Sequence, residues 1–483
     1  MSSIFVRTAT LILGLNLVVK GVYLFGIERV VQNTLPEGDY GLYFQLLNLT
    51  MLLQIVADFG LQLYNSRNLA QSRHLLAKYF PWLLGLKLLL GLIFLLSVAA
   101  GAWLLRYDTE IYPLLALLAV NQLLMSWLLF LRSNLSGLGR YRADSFISIA
   151  DKVILIPLVG GLLWWQQPFT VYHFAGAQLL AWLISGGLVL YLLRNRLERM
   201  RPRWNPATGL VLLRRAAPFA LAIFLMTAYT RLDAVMLGRL LPGAAGRLAA
   251  DHYAAAYRLL DAANMLGFLL AGLLLPMFAR LLARRETIRS LFALSLRSIL
   301  TLATLAAFPL LFFARPVVQL LYTIGDAETA RVLIYLMLTY LTVSAGYVFG
   351  TLLGAADRLR NMNYVFAAGV LLNLGLNLYL IPRRGAAGAA LATLVTQTMM
   401  LAGQMGLAYA YLPLRGAPLR LGRLLIFWLV FGASGYLLSR YSPLGWFVNF
   451  CVCVCCGLGP ALALRLLDPR AWRKADAGEA TEN

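Results

Sequence analysis

Residues 79–105 read YFPWLLGLKLLLGLIFLLSVAAGAWLL and carry a single charge, Lys87. At about 1.5 Å per residue a helix of this length crosses a hydrocarbon layer of about 30 Å. A backbone in hydrocarbon has to satisfy its own hydrogen bonds, so such a run is expected to be helical. Comparable runs tile the chain, separated by charged or Pro/Gly breaks. They predict spans at 8–31, 40–64, 79–105, 111–132, 144–165, 170–193, 216–240, 252–278, 290–313, 329–354, 361–381, 387–412, 421–439 and 444–466. The expected fold class is an all-α integral membrane protein of about fourteen transmembrane helices.

Composition agrees. Of 483 residues, 61% are hydrophobic and 13% charged, whereas soluble domains hold roughly 45–50% apolar and about 25% charged residues. The net charge of +22 would suggest nucleic acid in a soluble chain. Here the arginines sit in short gaps between apolar runs, and most fall on one set of alternate gaps, which reads as positive-inside topology with both termini cytoplasmic. No nucleic-acid partner is expected. The first helix is expected to be retained, because Lys20 interrupts it and no small-residue cleavage pattern follows. The longest inward connection, Arg194 to Arg215, reads RNRLERMRPRWNPATGLVLLRR and suits either a segment on anionic headgroups or a basic linker. The outward gaps are too short to house an extramembrane catalytic domain.

The remaining chemistry is sparse. Cys451, Cys453, Cys455 and Cys456 share one apolar run and read as packing residues. His74, His173 and His252 stand near expected span ends without metal-ligand spacing. No GxxxxGK[ST] loop is present, so direct ATP drive is not supported. A transporter without enzymatic activity, metal or organic cofactor is the expectation.

Two internal echoes suggest duplication. YGLYFQLLN (Tyr40 to Asn48) is matched by YAAAYRLLD (Tyr253 to Asp261), and Arg140-Tyr-Arg142 by Arg358-Leu-Arg360, in the same order. Transporters are often built from such repeats. The expected division is an N-lobe at 1–203, a C-lobe at 204–412, two further helices at 413–467 and a polar tail at 468–483.

Charges inside the spans are the candidate functional residues, since a charge at the centre of a lipid-facing helix costs about 2.5–3.5 kcal/mol. Lys20, Glu28 and Arg29 lie in the first span, and Asn48, Asp58 and Arg67 in or at the end of the second. The seventh has Arg231 and Asp233, and the eighth Arg258 and Asp261. Arg258 and Asp261 could instead neutralise each other as buried structural pairs. Lys87 and the adjacent Asp151-Lys152 read as structural.

PEGDYGLYFQ (Pro36 to Gln45), ADFGLQLYNSR (Ala57 to Arg67), RLDAVMLGRL (Arg231 to Leu240), DHYAAAYRLLD (Asp251 to Asp261) and LLLPMFARL (Leu273 to Leu281) together resemble the polysaccharide transporter or oligosaccharide flippase family. The likeness is to the O-antigen flippase type, within the multidrug/oligosaccharidyl-lipid/polysaccharide exporter superfamily. It implies two six-helix lobes with pseudo-two-fold symmetry, followed by two C-terminal helices. Helices 1, 2, 7 and 8 would border a central cavity.

The implied activity is movement of undecaprenyl-pyrophosphate-linked oligosaccharide repeat units across the bacterial inner membrane by alternating access. Lys20, Arg29, Arg67, Arg231 and Arg258 would meet the pyrophosphate. Asn48, Asp58, Asp233 and Asp261 would orient those bases or couple to an ion, Na+ or H+. The expected partners are the lipid-linked substrate, bilayer lipids and other polysaccharide assembly proteins. A cation-coupled multidrug exporter shares the superfamily fold, but would favour an acidic or aromatic pocket. A lipid II flippase has an arginine pattern not reproduced here residue for residue. A polysaccharide polymerase or ligase would need a large outer loop.

Overall fold

The computed structural model describes residues 14–62, 65, 75–137, 140–166, 168–197, 205–468 and 472. Arg67 lies outside them, as do nearly all residues of the tail. The described chain is helical, and twelve of its helices, counting Leu359–Tyr411 as one, are long and apolar enough to cross a membrane. The first helix in the chain, α1 (residues 14–34), contains a π-helical turn at Tyr23–Glu28. There follow α2 (Asp39–Asp58), α3 (Leu75–Leu104), α4 (Tyr112–Gly137), α5 (Tyr141–Trp165), α6 (Val171–Leu197), α7 (Pro206–Leu240), α8 (Gly243–Ala283) and α9 (Arg289–Phe312). After a short helix α10 (Ala314–Leu321) comes α11 (Ala327–Ala355). Leu359–Tyr411 is broken at Gly385 into α12 before it and α13 after it, and α14 (Leu421–Tyr441) and α15 (Trp446–Ala463) complete the set.

Three expectations change. The seventh and eighth helices begin earlier than their apolar runs, because Asn205 caps the Ala207 N–H at 2.9 Å and Pro206 occupies the first helical turn. From Pro206 onward the basic connection is therefore helix. His252 consequently lies inside α8, not at a helix end. Finally, the gap expected at 313–329 contains α10, whose apolar residues Ala314, Val317 and Val318 face inward.

By compactness the chain forms two units, Met1–Asp251 and His252–Asn483. In the first, α2 packs on α3, α4 and α7, α4 on α6, and α5 on α6 and the π-turn. Glycines set how closely α2 approaches its neighbours: a Cβ at Gly41 would overlap the Arg247 carbonyl, and Gly60, at φ +73°, sits against the backbone of Ala216 and Ala220. Asp251 closes the α1–α2 turn. Its carboxylate accepts from Gln32 Nε2 at 2.7 Å and from the Gly38 N–H at 3.0 Å. Much of the PEGDYG motif thus serves a tight turn rather than a ligand.

In the second unit α9 packs on α11, α14 and α15, and α11 on the α12/α13 pair. Pro382 and Gly385, at φ +54°, end α12. Glu328 then caps the new helix, its Oε1 accepting from the Ala387 N–H at 3.0 Å, while Arg331 holds its other oxygen at 2.6 Å.

Candidate functional site

The intramembrane charges of the first unit separate into two groups. The first is closed. Lys87 Nζ lies 2.7 Å from Asp58 Oδ1 and 2.7 Å from Ser126 Oγ, and its side chain has no exposed surface. Such a pair costs desolvation and repays it only with good geometry, which two short contacts supply. Asp58, a candidate for orienting substrate-binding bases, is placed by the structure against Lys87 instead. It also accepts from the Gln62 N–H at 3.3 Å just after the helix ends.

The second group is built on α1, α4 and α5. Ser148 Oγ on α5 donates to Asn16 Oδ1 on α1 at 3.1 Å. One turn further along each helix stand Lys152 and Lys20, which act on each other as like charges, with Asp151 and Arg132 also in electrostatic reach of Lys20. Two of the three cations have carboxylate partners: Arg132 Nε meets Asp144 at 2.8 Å, and Lys152 Nζ meets Asp151 at 3.2 Å. Lys20 forms no ion pair among the described residues. It is the uncompensated charge of the group.

Aromatic rings hold Lys152 in place. Its ammonium lies 4.3 Å from the Tyr23 ring centroid and 5.4 Å from that of Trp182, within cation–π range. Tyr23 opens the π-turn, a feature common at functional sites. Glu28, at the other end of that turn, is buried and accepts from Tyr40 Oη at 3.2 Å. Trp182 also walls an apolar cavity of about 480 Å³ among α3, α4 and α6, with Phe80, Trp127, Leu131, Gly186 and Gly187. A cation cluster and an apolar cavity therefore share one tryptophan.

The other candidates fall as follows. Arg231 donates from Nη1 to Asn48 Oδ1 at 3.4 Å, tying α7 to α2, and Asp233 is buried two residues on. Arg29 Nε is buried with no hydrogen-bond partner among the described residues. In the second unit Arg258 Nη1 lies 3.5 Å from Asp261 Oδ2, one turn apart on α8.

Sequence reasoning missed Lys152 and Arg132 as companions of Lys20. The adjacent Asp151-Lys152 reads as structural in the sequence, and Arg132 lies at a span end. The one available signal was the matched one-turn spacing of Asn16–Lys20 and Ser148–Lys152, both on helices that run in the same sense.

A family model described as polysaccharide biosynthesis protein matches residues 6–282. The chain belongs to that family. Among solved structures, the inward-closed lipid II flippase MurJ aligns over 98% of this chain and 100% of its own at 14% identity and TM-score 0.63. An inward-facing multidrug resistance MATE family transporter of the MOP superfamily aligns over 80% and 94%, at 13% identity and TM-score 0.60. The Vibrio cholerae MATE transporter VcmN aligns over 83% and 98%, at 16% identity and TM-score 0.53. No curated protein matches the chain. The family is that of polysaccharide biosynthesis proteins, and the fold is the one shared by these flippase and transporter structures.

Proposed function

We propose that the protein is a flippase for undecaprenyl-pyrophosphate-linked oligosaccharide repeat units, of the O-antigen or related lipopolysaccharide type, in the bacterial inner membrane with both termini cytoplasmic. The observation that carries the reading is Lys20, a half-buried cation in the first helix that Lys152 and Arg132 crowd and that only Asp151, itself 3.2 Å from Lys152, opposes. Three cations face two carboxylates here, an excess of positive charge that is costly among apolar helices, and a ligand that brings two phosphates supplies the missing counter-charge. Lys152 and Arg132, although paired, keep further N–H donors that a pyrophosphate can share.

The apolar cavity behind Trp182 suits a stretch of isoprenoid chain, so that one tryptophan separates headgroup from tail. Arg29, Arg231 and Arg258, together with Arg67, are proposed as further phosphate contacts along the path. Alternating access follows if the ligand binds one conformation more tightly than the other and so shifts their populations. A cationic drug would meet Lys20, Arg132 and Lys152 as repelling charges, which weighs against drug export on this fold.

Restoration of surface polysaccharide in a strain lacking the gene tests the reading. The unaltered protein restores it, and Lys20→Gln, inserted to the same level, does not. Full restoration by Lys20→Gln removes the residue on which the reading stands.

A further inference from the structure

On the second unit, the starts of α9 and α14 and the chain leaving α15 meet around Arg297, a guanidinium only 5% exposed. Its Nε donates to the Leu466 carbonyl at 3.3 Å, and Arg423 Nη1 donates to the Leu464 carbonyl at 3.3 Å. Beside them Arg289 Nε donates to the Pro413 carbonyl at 2.8 Å, and Trp472 Nε1 to Ser298 Oγ at 3.2 Å. These bonds use neutral acceptors, so they fix the guanidinium planes without neutralising them. Arg420 and Arg423 both act on Arg297 as like charges, and Asp468 is the carboxylate that opposes them. The cluster carries an excess of positive charge around a buried cation.

A further observation points to an anion. The helix α14 begins at this cluster with no side-chain cap on its first N–H groups, leaving donors of the kind that hold phosphate. Next to the cluster, Leu421, Leu425 and Leu462 are exposed and offer acyl-chain contact.

We propose that this cluster is a binding site for the phosphate of an anionic phospholipid, its headgroup on Arg297, Arg420 and Arg423 and its acyl chains along α14 and α15. The lipid supplies the charge the cluster lacks and locks the C-terminal chain onto α9. This site is separate from Lys20 and stands or falls independently of the transported substrate.

The full-length purified protein in detergent, offered phosphatidylglycerol or phosphatidylcholine and read by native mass spectrometry, tests it. The unaltered protein retains phosphatidylglycerol in preference to phosphatidylcholine. Arg420→Gln with Arg423→Gln, both exposed positions, weakens that retention about twenty-five-fold, at roughly fivefold per arginine near a membrane surface. Arg383→Gln with Arg440→Gln removes the same charge elsewhere and leaves retention unchanged. Equal retention of the two lipids, equal losses in the two double variants, or complete displacement of phosphatidylglycerol by inorganic phosphate would each overturn the lipid site.

Discussion

Asn16 accepts a 3.1 Å hydrogen bond from Ser148, and one turn further along each helix Lys20 and Lys152 act on each other as like charges. Because α1 and α5 run in the same sense, a one-turn step on each preserves the pairing. On the proposed function, this excess of positive charge would be met by an anionic substrate. The same arrangement would be an unsupported expense in a protein that only had to fold.

Removing the lysine charge should weaken binding of a polyprenyl pyrophosphate. A charge-assisted hydrogen bond is worth about 1.5–3 kcal/mol, so Lys20→Gln and Lys152→Gln should each raise the dissociation constant about tenfold to a hundredfold. Titration of purified protein with the lipid pyrophosphate checks this. Asn16→Ala should give a smaller loss with the same sign, since it loosens the register and leaves the charges.

The Asp58–Lys87 pair predicts a stability effect distinct from transport. Lys87→Met leaves a mostly buried carboxylate without its counter-charge and should destabilise the first unit by about 3–5 kcal/mol. The double variant Lys87→Met with Asp58→Asn should recover most of that. Thermal unfolding in detergent separates the two outcomes, and equal midpoints for single and double variants would show that the ion pair does not bear on stability.

At Gly41 a single methyl group meets the Arg247 carbonyl and the Asp251 backbone nitrogen of α8. Gly41→Ala should cost about 1–3 kcal/mol through forced separation of α2 and α8. Measured as a lowered unfolding midpoint, the effect should exceed that of Gly186→Ala, where a Cβ meets open space.

Asp326, in the connection before α11, gives a pH dependence. Burial works against its charged form, but the Thr329 N–H, His252 and the Thr329 hydroxyl outweigh burial and hold its carboxyl below the usual range. A carboxyl depressed in the folded state stabilises above its unfolded value, about 3.9, and that stability is lost as pH falls through the folded value. Unfolding midpoints should therefore drop more steeply below about pH 4 for the unaltered protein than for Asp326→Asn.

Most of the fold was legible because hydrophobic length alone decides a spanning helix, and residues 79–105 show this without ambiguity. The helix starts at Pro206 and Gly243 were not, since capping and packing extend a helix past its apolar run. The site was legible only in part. Lys20 and Arg231 stand out as charges in oil, but whether a charge is compensated depends on tertiary partners. Lys87 and Asp58 belong to different spans and give no joint signal, and Asp151 beside Lys152 suggests the pair the structure shows but not the Lys20 and Tyr23 neighbours that crowd it.

Transbilayer movement of a polyprenyl-pyrophosphate-linked oligosaccharide, measured in vesicles holding the purified protein, is the most direct test of the central claim. The account predicts movement with the unaltered protein, loss of it in Lys20→Gln with Lys152→Gln, and no transport of a cationic dye by either. Dye transport without lipid movement, or lipid movement undiminished in the double variant, would contradict it.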